Sequence, residues 1–470
     1  MRVMEGLEAA AEKMRDAGVG DAAIQAFREH YERLRGGDLG VLPESELEPV
    51  ADVPELDELP SDPDVAETLD RAVVVKLNGG LGTSMGLSGP KSLLEVKDGL
   101  TFLDIIARQV LALRERFKAR LPLVLMNSFH TRQPSLELLR RYPELEGDLP
   151  ADFVQNRIPK LDADELQPVG WPDDPELEWA PPGHGDLYSA LQTSGMLETL
   201  LDGGYRYGFV SNSDNLGAVP EPEILSWMAR EEIPFVMEVT DRTEADRKGG
   251  HIARRRGSGL VLRESAQTPD EDAEAFEDVR RHRFFNTNNL WLSLPHLAEE
   301  LERRDRVLPL PLIVNRKTVD PSDRSSPKVI QLETAMGAAI EVFDGARALR
   351  VPRRRFAPVK TTNDLLAVRS DAYVLTDDSR VELVSDRNDA PPTVDLDKEV
   401  YTLLNDFEAR FPSGPPSLRE CERLKVIGDV LFGADVVVRG AVTIEHTGDG
   451  QLRIADGDVL EGVGTRSRGS

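Results

Sequence analysis

Lys91, Asp214, His184 and Lys360 stand in the stretches of this chain best suited to holding charged oxygen atoms. Lys91 follows five glycines within eleven positions (Gly79, Gly80, Gly82, Gly86, Gly89) and comes directly after Pro90. Glycines let main-chain N–H groups converge on an anion without a Cβ in the way, and a lysine adds a point charge to the phosphate oxygens left over. Asp214 closes Ser211-Asn212-Ser213 at the end of an apolar run. There it suits Mg²⁺ held by one carboxylate, phosphate oxygens and water, or equally an Asx-turn. His184 lies between Gly183 and Gly185 after two prolines, where the glycines clear space for a ligand beside the ring. Lys360, after Pro358-Val359, reads as a second phosphate lysine or as a surface lysine before a helix cap. Twelve lysines against 45 arginines make lysine an uncommon cation in this chain. No Ser/His/Asp nucleophile arrangement and no His/Cys cluster appears. The chemistry implied is positional: two anionic substrates held in line around Mg²⁺ by lysines and amides, without a covalent intermediate.

Spacing separates the phosphate loops that compete for residues 73–92. A Walker loop needs Gly-Lys-[Ser/Thr] in register, but Pro90 intervenes and removes an amide. A dinucleotide fingerprint wants a carboxylate at the end of the next strand, and residues 121–126 run instead into Asn127-Ser128. That leaves a Gly-rich loop closed by Pro-Lys, similar to the triphosphate loop of sugar nucleotidyltransferases. Lys248-Gly249-Gly250, Asn286-Thr287-Asn288-Asn289 and Gln331-Leu332-Glu333-Thr334-Ala335 carry the amides and carboxylates that sugar hydroxyls pair with, or serve as caps and turns.

The chain has 470 residues, which suggests about three units on a prior of about 150 residues per domain. Its formal charge of −27 argues against nucleic acid or an anionic membrane as partner, and demands a local basic pocket or a divalent cation to receive a polyanionic substrate. No apolar run approaches a transmembrane length, and Glu5 and Glu8 do not fit a signal peptide, so a cytoplasmic protein is expected. The one cysteine, Cys421, leaves no internal disulfide and no thiol-rich metal site.

Residues 1–36 show the spacing of two amphipathic helices, and 37–70, with five prolines (43, 49, 54, 60, 63) and many acids, read as a solvated connector. From residue 71 strands (73–77, 121–126, 205–211, 234–240) alternate with helices (101–118, one after Pro134, one from Glu221). That alternation predicts an α/β fold with a mainly parallel sheet and ligands at the strands' C-terminal ends. Residues 168–178 read as a surface excursion. Between 426 and 444 a six-residue beat appears: Val426, Phe432, Val438 and Ile444 apolar, Val430, Val436 and Val442 all valine, Gly428, Ala434 and Gly440 all small. It predicts a short parallel β-helix that must dock on the main domain or on another subunit. The chain thus divides into three segments: 1–70, a catalytic unit 71–370, and 371–470.

Residues 76–92, 125–129, 181–186, 211–217, 235–240 with 248–250, 285–291, 331–335 and 358–364 together closely resemble the eukaryotic-type UTP–glucose-1-phosphate uridylyltransferases. The resemblance implies a glycosyltransferase-A-like nucleotide-binding sheet followed by a left-handed parallel β-helix. It implies the substrates UTP and glucose 1-phosphate, with Mg²⁺. Carried over by motif, Lys91 would bind the triphosphate, and Leu77, Asn78, Gly79, Gly80, Gln155 and Gly183 would hold the nucleotide. His184 and Asn212 would face the sugar phosphate, Asp214 the metal, and Lys360 the reacting phosphates. Gly250, Asn286, Asn288 and Glu333 complete the sugar side. Ser88 departs from the lysine frequent in relatives, and residues 153–157 match only in Gln155 and Arg157. Relatives differ in assembly, and self-association through the coil is expected here. Two other readings stay open: a pyrophosphorylase for another sugar 1-phosphate, opposed by the full 78–86 motif, and a nucleotide-sugar sensor without turnover, opposed by both lysines and Asp214.

Overall fold

The computed structural model describes residues 2–60, 62, 64–387 and 390–462; Pro63 of the expected connector and residues 463–470 lie outside them. A ten-stranded sheet organises the chain, its strands labelled in chain order β1 (Leu47–Pro49), β2 (Ala72–Asn78), β3 (Leu123–Asn127), β4 (Asp152–Val154), β5 (Tyr207–Asn212), β6 (Phe235–Asp241), β7 (His251–Arg255), β8 (Leu260–Arg263), β9 (Phe284–Ser293) and β10 (Arg347–Arg350). The order is β1-β7-β9-β5-β2-β3-β4, with β6 on β9, β10 on β6 and β8 on β7. β2, β3, β4 and β5 run parallel; β6, β7 and β10 share their direction, and β1, β8 and β9 oppose it, so the sheet is mainly parallel. Val73, Val74 and Val75 are all at most 2% exposed, as expected of a strand covered on both faces.

The helix Phe102–Phe117 begins at a Thr101/Asp104 capping box. The helix expected after Pro134 begins earlier: Phe129–Leu139 starts on a Ser128/Thr131 capping box and contains Pro134. The cap satisfies the first-turn donors and outweighs the one N–H the proline lacks. The stretch 37–70 is no free connector either. Leu47–Pro49 pairs with β7, and Leu42, Leu47, Val50 and Val53 are buried; a proline at the end of an edge strand withholds no donor that the sheet needs. The helices Arg2–Asp16 and Asp21–Arg35 bury Leu7, Met14, Phe27 and Tyr31 against Ile158, Leu161, Leu312 and Ile330.

At the C-terminal end, Val426 pairs in parallel with Ile444, eighteen residues or three hexads on. Val430 pairs with Leu452, 22 residues on, and the four extra residues accommodate the Gly448-Asp449-Gly450 turn. Val430, Phe432, Val436, Val438 and Ile444 are all buried. Their core is continuous with that of the main sheet through Tyr401, Phe407 and Phe411, and the Tyr401 hydroxyl donates to Val430 O at 2.8 Å. The coil therefore docks on its own chain.

Candidate active site

The parallel strands end side by side, and the loops beyond their ends build the site. Leu77 pairs with Asn212, and Asn78 with Asn127. Asn78 is 3% exposed, and its side chain donates to Asn127 Oδ1 at 2.7 Å and Ser135 Oγ at 2.8 Å, so it braces the strand ends. Beyond it the loop closes on itself: Leu81 bridges to Pro90, and Lys91 N–H donates to Gly80 O at 3.2 Å. A Cβ on Gly79 would lie 2.4 Å from Gln155 Oε1, so the glutamine amide crosses the loop where a side chain would have been and would have to swing away from a larger residue.

Ten of the fifteen residues expected at the site line one cavity of about 300 Å³: Leu77, Asn78, Gly79, Gly80, Lys91, Gln155, Gly183, His184, Asn212 and Asp214. Ser92, Pro181 and Ser213 join them, neighbours of those residues that carry no signal of their own. Lys91 Nζ donates to Asp214 Oδ2 at 2.7 Å, and the two side chains are only 17% and 23% exposed. The pair sits where an anion brought by a ligand would meet the lysine and a cation the carboxylate. Among the described residues Asp214 is the one acid in the lining, which fits a divalent cation held chiefly by substrate phosphates.

His184 is oriented by the 331–336 segment. Met336 N–H donates to its Nδ1 at 3.0 Å, and Gly185 N–H to Thr334 O at 2.8 Å. Gly183 has φ +79°, and a Cβ there would meet Thr334 O at 2.5 Å. Desolvation lowers the imidazole pKa to about 4, so the ring is neutral near pH 7. With Nδ1 accepting, Nε2 carries the proton and is a donor. Next to it, buried Asp186 accepts from Asn156 N at 2.6 Å and Nδ2 at 2.8 Å, fixing the segment that bears Gln155; burial raises its pKa to about 7. Sequence reasoning misses Asp186, although it closes the His184 motif.

Lys360, Gly250, Asn286, Asn288 and Glu333 do not line this cavity. They flank it. Val359 N–H donates to Asp214 O at 3.1 Å and Ala357 N–H to Asn215 Oδ1 at 3.0 Å, which pins the segment of Lys360 to the loop of Asp214. Lys360 Nζ stands 5.9 Å over the Phe356 ring, and that ring packs on Phe285. Glu264, invisible in the sequence because it sits in an ordinary charged stretch, lies against Gly250; burial raises its pKa to about 7, and Lys360 opposes the rise. Asn286 Nδ2 donates to Asn288 Oδ1 at 3.0 Å and Asn288 N–H to Asn286 Oδ1 at 2.9 Å, so these two brace a bulge in β9, where the register with β6 shifts and Asn288 has φ 58°. Glu333 is met by Lys317 at 3.6 Å.

A Gly-rich anion loop, a lysine and a carboxylate at the C-terminal ends of a mainly parallel sheet define a nucleotide-binding α/β protein of the phosphate-transferring class. The sequence profile of the UTP–glucose-1-phosphate uridylyltransferases matches residues 25–439. The Solanum tuberosum UTP–glucose-1-phosphate uridylyltransferase is 43% identical over 406 residues, 85% of this chain and 83% of the relative. A point mutant of the Leishmania major UDP-glucose pyrophosphorylase, solved in complex with UDP-glucose, is 49% identical with a TM-score of 0.92, covering 97% of this chain and 98% of that one. The Trypanosoma brucei UDP-glucose phosphorylase is 47% identical with a TM-score of 0.91, covering 97% and 98%. This chain belongs to the UTP–glucose-1-phosphate uridylyltransferase family.

Proposed function

We propose that the chain transfers the uridylyl group of UTP to α-D-glucose 1-phosphate, giving UDP-glucose and diphosphate. The observation that carries this reading is the convergence of the Gly-rich loop, Lys91, His184 and Asp214 on one cavity. A phosphate oxygen of the sugar phosphate attacks the α-phosphorus of UTP, the bond to the bridging oxygen breaks, and diphosphate leaves with the electron pair. Main-chain amides of 77–80, with Gln155 and Gly183, hold the nucleotide. His184 Nε2–H and Asn212 donate to the sugar phosphate, and Gly250, Glu333, Asn286 and Asn288 lie on the sugar side. Lys91 offsets charge on the triphosphate. Mg²⁺, held by Asp214 and phosphate oxygens, would neutralise part of that charge when bound. The test is diphosphate release in Mg²⁺ with each nucleoside triphosphate against a panel of sugar 1-phosphates. UTP with glucose 1-phosphate should be fastest by a wide margin; equal or faster turnover with another sugar 1-phosphate overturns the assignment.

Asp214→Asn should lose most Mg²⁺-dependent activity and recover a little at excess Mg²⁺ or Mn²⁺, since one of few protein ligands loses its charge. A metal titration identical to that of the parent would make Asp214 a turn residue. Lys360→Ala should lower kcat more than it raises the KM for UTP, as expected of a group outside the ground-state cavity that acts on developing charge. An effect on KM alone would confine it to substrate binding.

The parallel ladders of the last hundred residues fit a left-handed β-helix on the hexad register, and the glycosyltransferase-A-like description fits the sheet order. The rung Val459–Glu461 pairs on one side only among the described residues, and self-association through this end completes the reading. Light scattering of the full chain should give a multiple of the monomer mass; a monomer at every concentration rejects it. A cytoplasmic location accords with a single, buried cysteine.

A further inference from the structure

The antiparallel pair Ile313–Thr318 and Lys328–Glu333, with the turn between them, borders a cleft of about 550 Å³ apart from the cavity. Four of its eight lining residues are cations, Arg316, Lys317, Arg324 and Lys328, and none is an acid. Lys317 reaches Glu333 at 3.6 Å. The side chains of Arg316, Arg324 and Lys328 are exposed and have no hydrogen bond or ion pair among the described residues. What sets them apart is that all three gather on one concave surface, in a chain whose net charge is −27. Arginine forks and lysine ammonium groups left uncommitted around a concave surface match the oxygens of a phosphate group. Two side-chain contacts link the cleft to the site. Lys317 touches Glu333, and Glu333 Cβ lies 3.0 Å from where a Cβ on Gly183 would stand, on the wall of the cavity beside His184.

We propose that this cleft is a second binding site for phosphate-bearing anions, and that it feeds them to the catalytic cavity. A polyanion approaching the molecule meets net repulsion, and a local patch of exposed cations without ion-pair partners reverses the field over the last Debye length. The feeding role rests on the catalytic reading above; the anion site does not.

The test uses the full chain and a variant with Arg316→Gln, Arg324→Gln and Lys328→Gln, all exposed and outside the catalytic machinery. Calorimetric titration with inorganic tripolyphosphate at low ionic strength should resolve two sites in the parent and one in the variant, with Lys91→Ala losing the other. Identical isotherms for parent and variant overturn the proposal. With UTP as substrate the variant should keep kcat and lose about tenfold in kcat/KM at low salt, the two proteins converging near 1 M salt. Loss of the tripolyphosphate site with unchanged kcat/KM leaves the anion site standing and rejects its feeding role. A parent that forms no UDP-glucose rejects the catalytic reading, while the titration still decides the cleft.

Discussion

Lys91→Ala is expected to lower kcat by about a hundredfold or more at saturating UTP while leaving the fold intact, because a preorganised cation on developing phosphate charge is worth about 2.7–4 kcal/mol of barrier. The structure sharpens this in two ways. Lys91 is fixed at both ends, its N–H donating to Gly80 O and its Nζ to Asp214 Oδ2, so the charge is already aimed before a ligand arrives. The pair is neither fully buried nor fully exposed, so removing the lysine should cost folding about 1–3 kcal/mol, too little to unfold the chain. A large kinetic effect with a small thermal shift is therefore the signature. An unchanged kcat, or a loss of activity that tracks a loss of folded protein, would remove Lys91 from the chemistry.

The phosphate loop is legible in the sequence because its constraint is local. Backbone approach to an anion demands glycine, and a lysine is rare enough in this chain to stand out. The parallel pairing of Val426 with Ile444, three hexads on, is legible for the same reason, since each hexad repeats one packing problem. Less visible is anything set by partners far along the chain. Nothing beside Asn78 announces the partners of its Nδ2, Asn127 and Ser135, 49 and 57 residues away. Nothing near Leu47–Pro49 announces that β7, two hundred residues later, will accept it as an edge strand. Lys76 does leave a signal, a charge inside a run of valines. The structure buries it, donating to Ser211 Oγ and Ala218 O at 2.7 Å each, and desolvation lowers its pKa to about 7. Lys360 has a recognisable sequence pattern around it, but its tether to Asp214 runs through main-chain bonds that no side-chain motif reveals.

The largest effect on stability should come from Glu238→Ala, below the site. Glu238 is fully buried on β6 and its carboxylate accepts four bonds: from Arg355 Nε at 2.8 Å and Nη2 at 2.6 Å, Asn289 Nδ2 at 3.0 Å and Trp291 Nε1 at 2.8 Å. Burial alone would push the Arg355 pKa down, but the carboxylates of Glu238 and Glu221 hold it above its ordinary value. Removing one partner leaves a guanidinium in the core with only Glu221 and Val219 O to meet it, a loss of about 3–5 kcal/mol. Against a total stability of about 5–15 kcal/mol, that should appear as a drop in Tm of many degrees in calorimetry. Glu238→Met combined with Arg355→Met should be less destabilised than Glu238→Ala, because no charge is then stranded. The double variant should nevertheless turn over slowly. Arg355 O accepts from Asn215 Nδ2 at 3.1 Å, and Asn215 in turn holds Ala357, so this network sets where Lys360 stands relative to Asp214. A single substitution costing under about 1 kcal/mol would mean that water or a backbone shift replaces the carboxylate. A double variant with both parental stability and parental kcat would show that the buried ions do not position the site.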